Sequence, residues 1–487
     1  MIKTKLFEIL KSTGVILPEV VFIFGLLILV LVVAFDTKKN KATLYNILAL
    51  ALAGYLLVSA VLNYEKLGPN TIEAYNGFIT LDPTSIFFKG LIALAAIIML
   101  VHIRLFDYKM SGEFYVVFFT MILGLNFLTM TSHFLVIFIS LEMVSISTYV
   151  LVSIHKTKQN FEAGIKYLIF GATTTAIMLF GVSLFYGMTH QLNFSSETFH
   201  AYLQKNNEVS IQIVSFLFLG GLFFKAAAAP FHNWVPDVYE STPTPILSFI
   251  SFAPKAVAIM LIARFIKEMS INLNSVILLV SVLSLIYGNF SALWQTNVKR
   301  MLGYSGIAQS GFILIGLIKY QSNDFYGAFF YMVLYLPITM GSFFLVDVLY
   351  KQVKSFEIED YKGLGQKNFL LGLNAVIIMM ALVGLPPTLG FLAKLVVFSS
   401  IMDMQTEATN STYYALLIFG LLNAAVSIYY YLKVPYFMLV KTRYKFELAS
   451  RNLFLTTILS VFSFVIVYYF FKPEGISQIV SQILFLK

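Results

Sequence analysis

Six lysines lie inside long apolar stretches of the chain: Lys89, Lys166, Lys225, Lys255, Lys394 and Lys433. One carboxylate, Glu142, is expected to lie deep in such a stretch, within Ser140-Leu141-Glu142-Met143-Val144-Ser145-Ile146-Ser147-Thr148-Tyr149. An ionised side chain at mid-bilayer costs about 2.5–3.5 kcal/mol on insertion scales, so each needs a partner, a cavity or a route to the headgroups. Lys89, Lys166 and Lys433 sit nearer the ends of their stretches, where a four-carbon stem can snorkel; for Lys89 and Lys166 this is the expected arrangement. Lys255 has no such route, being central and directly after Pro254. Lys225 lies five residues before Pro230, and Lys394 follows Gly384-Leu385-Pro386-Pro387-Thr388-Leu389-Gly390. Each of these three therefore shares its stretch with a helix breaker.

That coincidence has a chemical meaning. Unpaired carbonyls and amides at a membrane-helix break are tolerated only where protein or water fills the gap, and such breaks commonly line ion sites. Glu142 has Ser145 and Tyr149 on its helical face, at i+3 and i+7, as hydroxyl donors. Its natural counter-charge is a buried lysine on another helix. At 4 Å and an effective dielectric of about 20 their attraction is about 4 kcal/mol, similar to the insertion cost of one of them. Burial disfavours an ammonium and a nearby carboxylate restores it, so moving the carboxylate would switch the lysine. The chemistry implied is proton loading and release without a cofactor. His232, after Pro230, relays a proton or caps a carbonyl, and His133 has the same two options. Tyr331 and Tyr335, one turn apart, extend a water wire or simply pack. No His, Asp or Glu cluster has metal-ligand spacing. The chain has no Cys, so it builds no Cys-ligated iron-sulfur cluster, and any electron transfer must happen on a partner.

The elements that must position these groups follow from composition. The 487 residues are 59% hydrophobic and 12% charged, against about 45–50% and 25% in soluble domains, which excludes a soluble enzyme. Fourteen continuous apolar segments are long enough to span a bilayer as helices, near 14–35, 43–62, 83–106, 114–131, 133–154, 161–187, 211–235, 244–267, 274–294, 301–319, 325–350, 369–402, 412–440 and 452–472. Barrel strands would alternate apolar and polar residues, so the expected fold is an all-α polytopic membrane protein. The first span has no signal-peptide cleavage pattern and reads as an uncleaved helix. The net charge of +9 does not mark a nucleic-acid binder, because the cations sit in short clusters between spans. Loops and span edges on the side following odd-numbered spans hold 17 Lys and Arg, the other side 10. The positive-inside rule then places both termini outside, with Lys3, Lys5 and Lys11 voting against.

Spans 7 and 12 both hold a breaker and a deep lysine and lie five spans apart. Five-helix units over spans 4–8 and 9–13 follow, and an odd number of spans inverts one relative to the other. The expected organisation is 1–112 (spans 1–3), 113–268 (first repeat), 269–440 (second repeat) and 441–487 (span 14 and tail).

The run Phe224-Lys225 through Pro230-Phe231-His232-Asn233-Trp234-Val235-Pro236-Asp237-Val238-Tyr239-Glu240, with Thr242-Pro243-Thr244-Pro245, resembles the signature of the antiporter-like subunits of respiratory complex I. Its Trp-x-Pro-Asp-Val-Tyr-Glu form and Pro254-Lys255 are similar to the subunit N branch, counterpart of mitochondrial NADH dehydrogenase subunit 2. Asn297-Val298-Lys299-Arg300-Met301-Leu302-Gly303-Tyr304-Ser305 and Gly384-Leu385-Pro386-Pro387-Thr388-Leu389-Gly390-Phe391 agree with it. The segment departs in reading Glu240-Ser241-Thr242 where that branch often has Glu-Gly-Ala. The resemblance implies that Glu142 pairs with Lys225, that Lys255 is a central relay and that Lys394 faces an exit half-channel. It implies a proton-translocating membrane-arm subunit in a hetero-oligomer, with flavin, iron-sulfur clusters and quinone on partner subunits and no cofactor in this chain; the expected setting is a bacterial inner membrane, with an organellar membrane as the alternative. The alternatives are a subunit of a multi-subunit Na+/H+ antiporter of the same superfamily, and an assembly scaffold with inert polar groups.

Overall fold

The computed structural model describes residues 12–36, 42–68, 70–269, 272–318, 325–408, 411–442 and 453–484. The orientation votes of Lys3, Lys5, Lys11, Lys38, Lys39, Lys41, Lys319, Arg443, Lys445, Arg451 and Lys487 lie outside these residues. The main helices are α1 (Leu17–Ala34), α2 (Ala42–Leu67), α3 (Pro83–Leu105), α4 (Gly112–Thr129), α5 (Phe134–Val152), α6 (Lys158–Thr189), α7 (Glu208–Lys225), α8 (Thr244–Glu268), α9 (Asn274–Leu293), α10 (Val298–Ile315), α11 (Tyr326–Val353), α12 (Phe369–Val383), α13 (Leu389–Ala408), α14 (Ser411–Leu439), α15 (Leu453–Phe471) and α16 (Glu474–Leu484). Among the described residues, twelve helices are long and apolar enough to cross a membrane. The other two expected spans correspond to α10, which carries Lys299, Arg300 and Gln309, and to the divided pair α12 and α13.

Polar residues at the loop junctions start these helices. Asp82 caps α3 by accepting from the Ser85 amide, and the Ser85 hydroxyl returns the contact, with Pro83 pre-set in the first turn. Asn207 caps α7 by accepting from the Val209 amide, and Asn297 caps α10 by accepting from the Lys299 and Arg300 amides. Two spans are interrupted where sequence places the breakers: α7 stops at Lys225 and a short helix resumes at Val235–Ser241, while α12 and α13 are separated at 384–388. The third breaker behaves otherwise. α8 runs unbroken through Pro254, so Lys255 lies on a continuous helix.

The chain forms two compact units: residues 1–226 with 253–273 and 482–487, and residues 227–252 with 274–481. In the first, α2 packs on α3, α4 on α5 and α6 on α7, around an aromatic core in which Phe134 meets Phe185 and Phe218. A two-stranded antiparallel hairpin, β1 (Ile72–Ala74) and β2 (Ile79–Leu81), pairs Ile72 with Leu81. In the second, α9 packs on α10, α12 on α14 and α11 on α13. Leu27 and Ile28 on α1, Ile165 and Ile169 on α6, and Leu421 and Leu422 on α14 are exposed; a soluble protein rarely leaves such faces bare, whereas lipid covers them.

Three expectations about charge are corrected. Glu142 is not the only carboxylate buried in a span, since Glu19 on α1 and Asp347 on α11 are each 1% exposed while Glu142 itself is only half-buried. Lys89 does not snorkel; its ammonium pairs with Glu19 at 2.7 Å, because α1 brings a carboxylate beside it. Lys299, counted with the loop cations, is buried and donates to the Glu240 and Thr242 carbonyls at 2.8 and 2.6 Å. Lys166 is half-exposed beside Glu162 at i−4, as a lysine near the interface can be, and Lys433 donates to the Gln295 carbonyl at 3.1 Å.

Candidate functional site

In the first unit, Lys225 is the last residue of α7, where the approaching break ends the helix. Its ammonium is buried and makes no hydrogen bond. It lies instead against three ring faces, Tyr167 at 5.4 Å, Phe224 at 5.6 Å and Tyr149 at 5.7 Å, within cation–π range. α5 and α6 supply the two tyrosines, which pack edge to face at 4.9 Å. Glu142, about two helical turns before Tyr149, accepts a hydrogen bond from the Thr175 hydroxyl of α6 at 2.9 Å. The Glu142–Lys225 pair is therefore open in this conformation: Thr175 holds the carboxylate and aromatic faces hold the ammonium. A cavity of about 10 Å³ touches Lys225 and is walled by Leu141, Val144, Leu222, Pro254 and Val257. It is about the size of one water, and apart from Lys225 no polar side chain lines it. Lys255, 1% exposed, follows Pro254 on α8. His133 is stacked on Phe78 at the start of α5, its Nδ1 buried without a hydrogen bond.

In the second unit, the break between α12 and α13 has a simple origin. A helix continuing past Val383 would need the amides of residues 386 and 387 to satisfy the Leu382 and Val383 carbonyls, and both residues are proline. Two side chains replace the missing donors. Gln309 Nε2 donates to the Leu382 carbonyl at 2.9 Å, and Lys394 Nζ donates to the Val383 carbonyl at 2.6 Å. The Lys394 ammonium also lies 4.3 Å from the centre of the Phe312 ring. Gln309 goes further into the helix bundle: its Nε2 donates to the Tyr431 hydroxyl at 3.1 Å and its Oε1 accepts from Tyr331. Tyr431 shares a short hydrogen bond with Ser305. Beside it, Tyr430 donates to Asn289 at 2.9 Å and Asn289 to Asn423 at 3.2 Å.

His232 follows the span-7 break, its ring 5.1 Å from that of Tyr287 and its Nδ1 buried without a hydrogen bond. At the same break the Ala229 amide donates to Ser284 of α9 at 2.9 Å. Among the described residues no group of three or more His, Asp or Glu is placed to hold a metal ion. Sequence reasoning missed Thr175, Ser305, Gln309 and Tyr431, all uncharged. For Gln309 a signal existed: two consecutive prolines delete two backbone donors, so two side-chain donors had to be found elsewhere.

A multi-pass helical membrane protein with two interrupted spans, each holding a buried lysine at its break, is a class built to keep ionisable groups inside the bilayer. Residues 131–427 match the family model described as NADH:quinone oxidoreductase/Mrp antiporter, TM, and the chain belongs to this family. It is 34% identical over 438 residues to NADH-quinone oxidoreductase subunit N 2 of Chloroherpeton thalassium, covering 86% of this chain and 83% of that protein. It is 36% identical over 449 residues to NAD(P)H-quinone oxidoreductase subunit 2 of a Synechococcus species, covering 90% and 83%. Among solved structures, a chain of respiratory complex I from Thermus thermophilus superposes with a TM-score of 0.78 at 26% identity, over 95% of this chain and 98% of that one. A chain of the Mrp complex from Dietzia shares the fold, with a TM-score of 0.81 at 16% identity, over 96% and 97%.

Proposed function

We propose that the chain is an antiporter-like membrane-arm subunit of an NADH:quinone oxidoreductase and that it translocates protons through Glu142, Lys225, Lys255 and Lys394, with His232 as a side relay. The observation that carries this reading is the open Glu142–Lys225 pair: an ammonium with no hydrogen bond, and a carboxylate held by one hydroxyl. At 4 Å the whole attraction of the pair is about 4 kcal/mol at an effective dielectric of about 20, of which closing adds the part not already felt across the gap, while moving one charge against 100 mV requires about 2.3 kcal/mol. Switching one such pair therefore supplies a driving force of the required size. Flavin, iron-sulfur clusters and quinone belong on partner subunits of a hetero-oligomer, and quinone reduction there drives the relay electrostatically. The setting is a bacterial inner membrane with both termini on the outer side, and spans 4–8 and 9–13 form inverted five-helix repeats.

Lys225→Ala tests the reading in membranes holding the assembled complex. Protons pumped per quinol should fall sharply; an unchanged ratio with the complex intact refutes translocation and favours the scaffold. The likeness to the Mrp complex supports a second reading, a Na+/H+ antiporter subunit, for which cation-stimulated transport would occur without any quinone reductase.

A further inference from the structure

We propose that Gln309 is a positioning residue that fixes the Tyr331 hydroxyl as a donor, makes the Tyr431 hydroxyl an acceptor, and ties both to the broken helix end that Lys394 holds. The inference rests on the relay reading of Lys394 and extends it to an uncharged residue. Gln309 is 3% exposed on α10, and both ends of its amide are engaged. A primary amide has two N–H donors and one carbonyl acceptor. Here one N–H is aimed at the Leu382 carbonyl and the other at the Tyr431 oxygen, while the amide oxygen takes the Tyr331 proton. Rotating the amide by half a turn would set its oxygen against the Leu382 oxygen, acceptor to acceptor, in a buried site where an unmet carbonyl is costly. The Leu382 carbonyl is free to impose this choice only because Pro386 has no amide proton to offer it. The direction then passes on. Tyr331 must donate to Gln309, and the Tyr431 oxygen accepts from Gln309 while sharing a further hydrogen bond with Ser305 in which either hydroxyl can be the donor.

An amide does not itself hand on protons as a hydroxyl or water does, so Gln309 is not a carrier. It stands between Tyr331 and Tyr431, taking the proton of the first and donating to the oxygen of the second. It also shares the broken helix end with Lys394, through the neighbouring carbonyls of Leu382 and Val383. Any motion of this end that releases Lys394 from Val383 also pulls on Gln309 and so on both tyrosines. The hydroxyl chain and the lysine are thereby aligned, or misaligned, together.

The test uses the assembled complex in native membranes, with Gln309→Met, Gln309→Glu and Lys394→Ala made singly and Gln309→Met combined with Lys394→Ala. The readout is protons pumped per quinol, normalised to complex abundance, which a merely structural residue would leave unchanged once the complex has assembled. Gln309→Met, similar in size but without donors, is expected to lower the ratio about tenfold, as loss of buried hydrogen bonds of this kind implies. Because both residues act on one helix end, the double variant should be no worse than Lys394→Ala. If Gln309→Met does not assemble, Gln309→Glu decides, and a parental ratio there overturns the proposal, as does failure of both variants to assemble. A parental ratio in Gln309→Met overturns it directly, and so does a double variant whose loss is the product of the two single losses. If Lys394→Ala also pumps normally, the relay reading falls as well; if only Lys394→Ala is impaired, the role of Gln309 alone is refuted.

Discussion

Replacing Gly384 by alanine should disable Lys394 without removing any polar group. Gly384 ends α12 in the left-handed region, with φ +87°. A Cβ there would stand 2.8 Å from Lys394 Cδ and 3.2 Å from the Gly390 carbonyl oxygen. Holding alanine in that conformation costs about 1–2 kcal/mol, which a stability of about 5–15 kcal/mol absorbs. The crowding is relieved most easily by the lysine stem, which is flexible, and its movement breaks the 2.6 Å bond to Val383. A hydrogen bond from a charged donor is worth about 1.5–3 kcal/mol, so the aligned state becomes about 10- to 150-fold rarer. Gly384→Ala should therefore assemble, and proton pumping per quinol in sealed vesicles should drop by at least about tenfold. Gly390→Ala is the contrast. Its Cβ would fall inside the Ala381 carbonyl oxygen, which is backbone and cannot swing away, so the complex itself should be lost. A Gly384→Ala complex that assembles and pumps at the parental ratio would refute the placement of Lys394 in the relay.

Glu142→Gln should assemble and lose most pumping, since the amide keeps a contact to Thr175 but cannot recharge Lys225; a change in subunit abundance alone would make the residue structural. Lys89→Met strands the buried Glu19 carboxylate and should destabilise the subunit by about 3–5 kcal/mol, seen as a lower melting temperature of the purified complex. Adding Glu19→Leu should restore most of that loss, and no restoration would show that the pair is not the cause. Lys354→Cys should react with an impermeant maleimide only from the inner side; labelling from the outer side contradicts the proposed topology.

Much of this arrangement was legible in the sequence because a bilayer is a demanding solvent. Apolar runs locate helices, and the same runs make Lys225, Lys255 and Lys394 stand out. Breaks could be read where Pro386 and Pro387 remove two successive donors, or where Pro230 follows the alanine run. Pro254 shows the limit: a single proline deletes one donor, and α8 continues across the gap. What remained hidden is angular. Hydropathy gives depth along a span but not the direction a side chain faces, so nothing revealed that α1 turns Glu19 toward Lys89, or that Lys299 points inward while Arg300 reaches Asp237 and Glu240. Gln309 stayed unseen because an uncharged amide raises no alarm in an apolar run, although its carbonyl partner was deducible from the prolines.

The ring faces around Lys225 bear on how quickly its charge can change. A lysine clamped by carbonyls leaves them stranded when it moves, and the surroundings must reorganise around the loss. Aromatic faces attract a cation by about 0.5–2 kcal/mol, yet they hold no lone pair or proton that needs a new partner when the charge goes. The Tyr149, Tyr167 and Phe224 walls therefore make a low-friction seat, in which the proton exchange proposed for the side chain would need little rearrangement of its neighbours. Lys394 lies 4.3 Å from the Phe312 ring but is also bonded to Val383, and leaves that carbonyl unpaired when it moves, so of the two broken-helix lysines Lys225 has the smaller reorganisation to make.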